Sequence, residues 1–183
     1  YVYIGDFGNN RGNRKNLAIY RIQKSDIPSR RNGKVTPEII SFSYAGQTEF
    51  KHKKNEHNFD CEAMIVFGDS LLLFSKNRQN LKTDLFFLPK SPGQYTVEPV
   101  ESFDVDGLIT GASLNNKTGK LVLLGYKNQN PFVFVVKGFK KSLRAAEDIY
   151  RIEFIKLKES QTEGICWQTE SVIWVSTEKT EVF

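Results

Sequence analysis

Two glutamates, each followed by a small residue at the start of an apolar run, are the first candidates for chemistry: Glu62-Ala63 and Glu163-Gly164. A third stretch written in register with them reads Gly111-Ala112. Carboxylates around one cavity offer the hard oxygen ligands that calcium or magnesium takes. A metal held there would polarise a carbonyl or lower the pKa of a bound water. The same side chains equally suit a structural role, accepting bonds from strand-end amides or pairing with basic neighbours.

Asp6-Phe7-Gly8-Asn9-Asn10 is a second candidate. Asp6, Asn9 and Asn10 can offer oxygens to a cation, but the twelve-residue spacing and closing Glu of an EF-hand are missing. Related loops read Lys76-Asn77-Arg78-Gln79-Asn80 and Lys127-Asn128-Gln129-Asn130, so the shared Asn content also fits turn chemistry. The third candidate is basic. Arg11, Arg14 and Lys15 lie in one polar loop, and Lys51, His52, Lys53 and Lys54 in another. Residues 11–54 carry eleven Lys or Arg against three acids, within a chain of net charge +5. Phosphate, sulfate, uronate or an acidic polymer would be drawn there, and a solvated loop is the plainer alternative. Aromatics are not interleaved with these charges, which argues against nucleic acid as a partner. Tyr126 follows a small residue at the end of an apolar run, where it could stack on a sugar or another flat ligand. His52 and His57 share a loop with no Gly-x-Ser-x-Gly elbow beside them, so no hydrolytic triad is legible. Cys61 and Cys166 fall on separate strands and read as two free, buried thiols.

Something must position these groups. Apolar residues make up 39 % and charged residues 26 %, the balance of a globular chain, and no apolar run reaches the roughly 20 residues of a spanning helix. Four segments superimpose: YVYIGDFGNN, LLLFSKNRQN, LVLLGYKNQN and VIWVSTEKTE, starting 70, 50 and 51 residues apart. Second runs (LAIYRI, LFFLPK, FVFVVKG) and third runs (IISFSYAG, VEPVESFDV, IYRIEFIKL) follow the first three. The strands CEAMIVF, TGASL and EGICW precede the last three, joined by tight turns such as Gly68-Asp69. Each unit therefore reads as four antiparallel strands over about 50 residues, the pattern of a propeller blade. Phe86, Phe87, Phe132, Phe134 and Trp174 read as packing between blades. Only Lys141–Asp148 has helical character, enough for two turns.

The expected fold is an all-β propeller of four-stranded antiparallel blades, about three and a half of them, with units at 1–46, 60–107, 108–158 and 161–183. A pair of small β-sandwiches would explain the strands but not the repeated register. In a propeller, the loops carrying Asp6–Asn16, Gly46–Asp60, Lys76–Thr83 and Tyr126–Asn130 emerge on one face.

The combination of YVYIGDFGNNRGNRKNLAIYRI, NFDCEAMIVFGDSLLLFSKN, GLITGASL with LVLLGY, and TEGICW resembles a group of secreted or envelope β-propeller proteins, many from the Bacteroidetes. That resemblance implies part of a six-bladed propeller, set outside the cell, in the periplasm or at the outer membrane. Glu163-Gly164, and less closely Glu62, are also similar to the inner-strand starts of the gluconolactonase and senescence-marker propellers, which implies calcium there. Gly111 departs from that pattern. Three functions stand as expectations: a binding module for an anionic small molecule, glycan or protein, with a polar, basic ligand face at the channel mouth; a calcium-dependent lactonase or esterase; and a scaffold domain of a larger protein.

Overall fold

The computed structural model describes residues 1–29, 32–53, 55–157 and 161–177. In chain order its strands begin with β1 (Val2–Asp6), β2 (Leu17–Ile22) and β3 (Glu38–Tyr44). The second group is β4 (Cys61–Phe67), β5 (Ser70–Ser75), β6 (Lys82–Pro89), β7 (Gly93–Val97) and β8 (Pro99–Asp104). Then come β9 (Leu108–Asn115), β10 (Lys120–Lys127), β11 (Asn130–Lys137) and β12 (Asp148–Glu153), and finally β13 (Thr162–Trp167) and β14 (Ile173–Thr177).

The chain is all-β. Strands β4-β5-β6-β8 and β9-β10-β11-β12 form two four-stranded antiparallel sheets, and β13-β14 a two-stranded one. In the first sheet β1, β2 and β3 run antiparallel, and β7 adds a fourth strand parallel to β3. Turn chemistry sets the hairpins. Gly68 takes a φ of +55° between β4 and β5. Between β9 and β10 the Asn115 Oδ1 accepts the amides of Lys117 and Thr118 at 3.1 and 3.2 Å.

The sheets stack face to face, because their central strands are apolar on both sides. On β5, Leu71 and Leu73 pack into one core with Ile19, Ile40 and Phe42 of the first sheet. Leu72 and Phe74 point the other way, into a second core with Leu121, Leu123 and Phe132 of the third sheet. Period-two alternation thus serves two interfaces instead of one core and one wet face. Strand β9 lies beside both β4 and β13. At Gly111 a Cβ would come within 3.4 Å of the Glu163 carbonyl oxygen, so β9 and β13 approach closely there.

The described sheets do not close into a ring. Four local expectations are corrected. The run VEPVESFDV is not one strand: Val97 ends β7 on the first sheet, and Pro99 opens β8 on the second. Proline lacks an N–H for the ladder and suits a strand's first position. Lys141–Asp148 forms no helix: Lys141 takes a φ of +69°, outside the right-handed helical region, and Glu101 of β8 accepts the Ser142 hydroxyl and the Leu143 and Arg144 amides at 2.8–3.0 Å. Trp174 is 60 % exposed instead of packed between sheets. Both cysteines are free as expected, but only Cys61 is buried, and Cys166 is exposed. Among the described residues no helix is long and apolar enough to cross a membrane.

Candidate functional site

A cleft of about 890 Å³ opens where the loops of successive sheets meet. Such a volume lies within the range of small-molecule sites. The β1–β2 loop contributes Asn10, Arg11 and Asn13, and the β3–β4 loop Phe50, Lys51, His52 and Asn55. Lys76 and Arg78 come from the β5–β6 loop, Tyr126 from β10, and Glu62 and Glu163 from the starts of β4 and β13.

The glutamates reach the cleft through a repeated irregularity. In β4, Cys61 pairs with Ser75 and Ala63 with Phe74, so Glu62 is an extra residue. In β13, Thr162 pairs with Thr177 and Gly164 with Ser176, which makes Glu163 the extra residue. In β9 the pairs Ile109–Gly125 and Gly111–Leu124 leave Thr110 in that place. The structural counterpart of the glutamates is therefore Thr110, one position before the Gly111 that the linear alignment supplies. A bulge bends the strand and re-aims its side chains. Its effect is visible in β4: Cys61 packs with the first sheet, whereas Ala63 packs with the third. Without the bulge both would face one side, and Glu62 would face the opposite core. Thr110 is tied down, its hydroxyl donating to the Thr162 carbonyl at 2.5 Å.

Glu62 meets a cation. The Lys76 Nζ donates to its Oε2 at 2.6 Å and lies 5.2 Å from the centre of the Tyr126 ring. Lys76 is only 3 % exposed and Tyr126 9 %. Burial pushes the Glu62 carboxyl above its usual range, and the Lys76 ammonium offsets only part of that shift. A divalent cation at Glu62 would sit against this ammonium. Among the described residues no three His, Cys, Asp or Glu side chains are grouped to hold a metal. The donors around Glu62 do not fit a divalent cation.

A carboxyl whose pKa is raised on folding contributes stability below its unfolded pKa, and that contribution is lost as pH rises through the folded value. The stability of the wild type relative to Glu62→Gln is expected to be highest in acid and to decline with rising pH across the carboxylate range. Urea denaturation at a series of pH values reads this difference, and a rise in place of the decline refutes it.

Beneath the cleft lies Asp60, fully buried. Its Oδ1 accepts the Asn9 amide at 2.6 Å and the Cys61 amide at 3.0 Å. Its Oδ2 accepts Arg78 Nε at 3.0 Å and Arg78 Nη2 at 2.9 Å. Arg78 Nη2 also donates to the Asn10 side-chain oxygen. One carboxylate thus fixes three segments of the cleft wall. Local sequence reading missed Asp60, Lys76 and Arg78. The available signal was the matched spacing of Asp60-x-Glu62 and Lys76-x-Arg78 on the two arms of one hairpin.

The other candidates divide. Arg11, Lys51 and His52 line the cleft beside Asn10. Asn9 is buried in loop structure: its Nδ2 donates to the Phe59 carbonyl at 2.9 Å, and its Oδ1 accepts the Arg14 amide at 2.9 Å. Arg14 turns to Asp6, with 2.8 Å between Nη1 and Oδ1. Lys15 lies over the Phe50 ring, 4.5 Å from its centre. The Lys53 side chain is 85 % exposed and only 4.0 Å from Glu56. Lys54 lies outside the described residues. His57 is buried; its Nδ1 accepts the Phe59 amide at 3.3 Å, which leaves Nε2–H to donate to the Asn10 carbonyl at 3.1 Å. Gly12 is required between the two imidazoles: its φ is +61°, and a Cβ would lie 2.6 Å from His52 and 2.9 Å from His57. Burial pushes the Cys61 thiol and the Tyr44 phenol up, so neither is an activated nucleophile.

No family model, no curated protein and no solved structure matches the chain.

Proposed function

We propose that the chain is part of a β-propeller that binds a polar, anionic ligand, a small molecule or a glycan, in the cleft between its loops. The observation that carries this reading is the cleft's composition. Four cationic side chains (Arg11, Lys51, Lys76 and Arg78) meet two carboxylates and several amides in one concave site. Positive potential focused in a cleft attracts anions, and fixed amides and carboxylates orient the ligand's hydroxyls. Support for the propeller comes from sheets that follow one another along the chain and stack face to face, with β9 beside both β4 and β13. Support for an extracellular or envelope setting is the family resemblance alone.

The test is a double charge reversal at the rim, Arg11→Glu with Lys51→Glu, both residues being exposed. Calorimetry against a panel of sugar acids, organic acids and inorganic anions should identify a binder, and the double variant should weaken it at least tenfold. Lys53→Glu, outside the cleft lining, serves as the control. A panel without any binder, or undiminished capture by the double variant, refutes the reading.

A further inference from the structure

Lys76 and Arg78 differ from the rim cations in being held. Lys76 is anchored by Glu62 at 2.6 Å, and Arg78 by the buried Asp60 at 2.9 and 3.0 Å. Neither is saturated. An ammonium carries three N–H groups and a guanidinium five. Lys76 Nζ makes a hydrogen bond to Glu62 only, among the described residues. Arg78 uses Nε and Nη2, and its Nη1 has no acceptor among them. Lys76 is 97 % buried yet lines the cleft, so its remaining donors need an oxygen from whatever occupies that space.

The second observation concerns acceptors. Glu62 lines the same cleft within bonding distance of Lys76. A phosphate or sulfate ion offers oxygens that suit the cations, but it has little or no hydrogen to give a carboxylate. A ligand that satisfies both needs an anionic group and hydroxyl donors on one rigid frame.

Resting on the anion-binding reading above, we infer that the ligand is a uronic acid, a pyranose carrying a carboxylate, free or within a glycan. Its carboxylate takes the open donors of Lys76 and Arg78, and its ring hydroxyls donate to Glu62. Asp60 and Glu62 hold the two cations in place before the ligand arrives, which reduces the ordering cost of binding.

The experiment is calorimetry of the chain with a galacturonate trimer, a neutral galactose trimer, inorganic phosphate and inorganic sulfate. The uronate trimer is expected to bind at least tenfold more tightly than each of the others. Lys76→Met should weaken it at least tenfold. Glu62→Gln should weaken it several-fold, and this variant decides the matter should Lys76→Met fail to fold. Binding of phosphate or sulfate without uronate overturns this inference and leaves the anion-binding reading standing. Binding of the neutral trimer as tight as the uronate overturns the carboxylate assignment. No binding of any anion overturns both readings. Uronate binding undiminished in folded variants at both positions places the ligand elsewhere and also overturns the inference.

Discussion

Asp60→Ala is expected to lower the unfolding free energy by about 3–5 kcal/mol, the scale for breaking one side of a buried ion pair. The carboxylate is fully buried and receives the Asn9 and Cys61 amides as well as Arg78. Its removal strands the guanidinium, whose side chain is 13 % exposed, and frees the β1–β2 loop from the start of β4. Adding Arg78→Met should recover part of the loss, because the unpaired charge then disappears. Urea denaturation of both variants reads the two effects. A loss below about 1 kcal/mol, the scale of a solvated surface pair, would show that Asp60 is not the junction described.

Phe74→Ala should cost about 3–5 kcal/mol, the usual range for emptying a buried aromatic site. Its ring is fully buried in the core shared by the second and third sheets, with Leu85, Ile109 and Leu123 in the same cluster. The loss arises at an interface between sheets, so it also tests whether they stack as one body. If the sheets were independent, the ring would be partly wet and the cost nearer 1 kcal/mol, the mean for point substitutions. Equilibrium denaturation followed by Trp fluorescence separates these outcomes.

The fold was legible where the signal is local. Tight turns such as Gly68-Asp69 and Asn115–Gly119, and apolar runs such as LLLF and LVLL, are short-range features, and each became a hairpin or a central strand. Strand β7 was missed because GQYTV is a weak pattern whose partner, β3, lies about fifty residues earlier. The loops that form the cleft could be named because the expected propeller arrangement puts them on one face. The cations at its floor could not, since Lys76-Asn77-Arg78 has the composition of a turn. Only its pairing across the hairpin with Asp60 and Glu62 changes its meaning. Thr110 shows the opposite failure: an inserted residue shifts a strand's phase, and linear alignment has no means of seeing it.

The borrowed strand β7 has a consequence for how the chain is made. The open edge of β3 is closed by residues 93–97, and the Glu101 carboxylate of β8 by the loop at Ser142–Arg144. Each outer strand thus waits for chain that is synthesised roughly forty to fifty residues later. At about 5–20 residues per second, that delay is several seconds on the ribosome. During this interval β3 presents an unpaired edge, with Ile39 49 % exposed even in the finished structure. An uncovered edge is the ordinary route to intermolecular strand pairing. Yield on expression should therefore depend on elongation rate and on chaperones that shield nascent edges, more than the stability of the completed sheets would suggest.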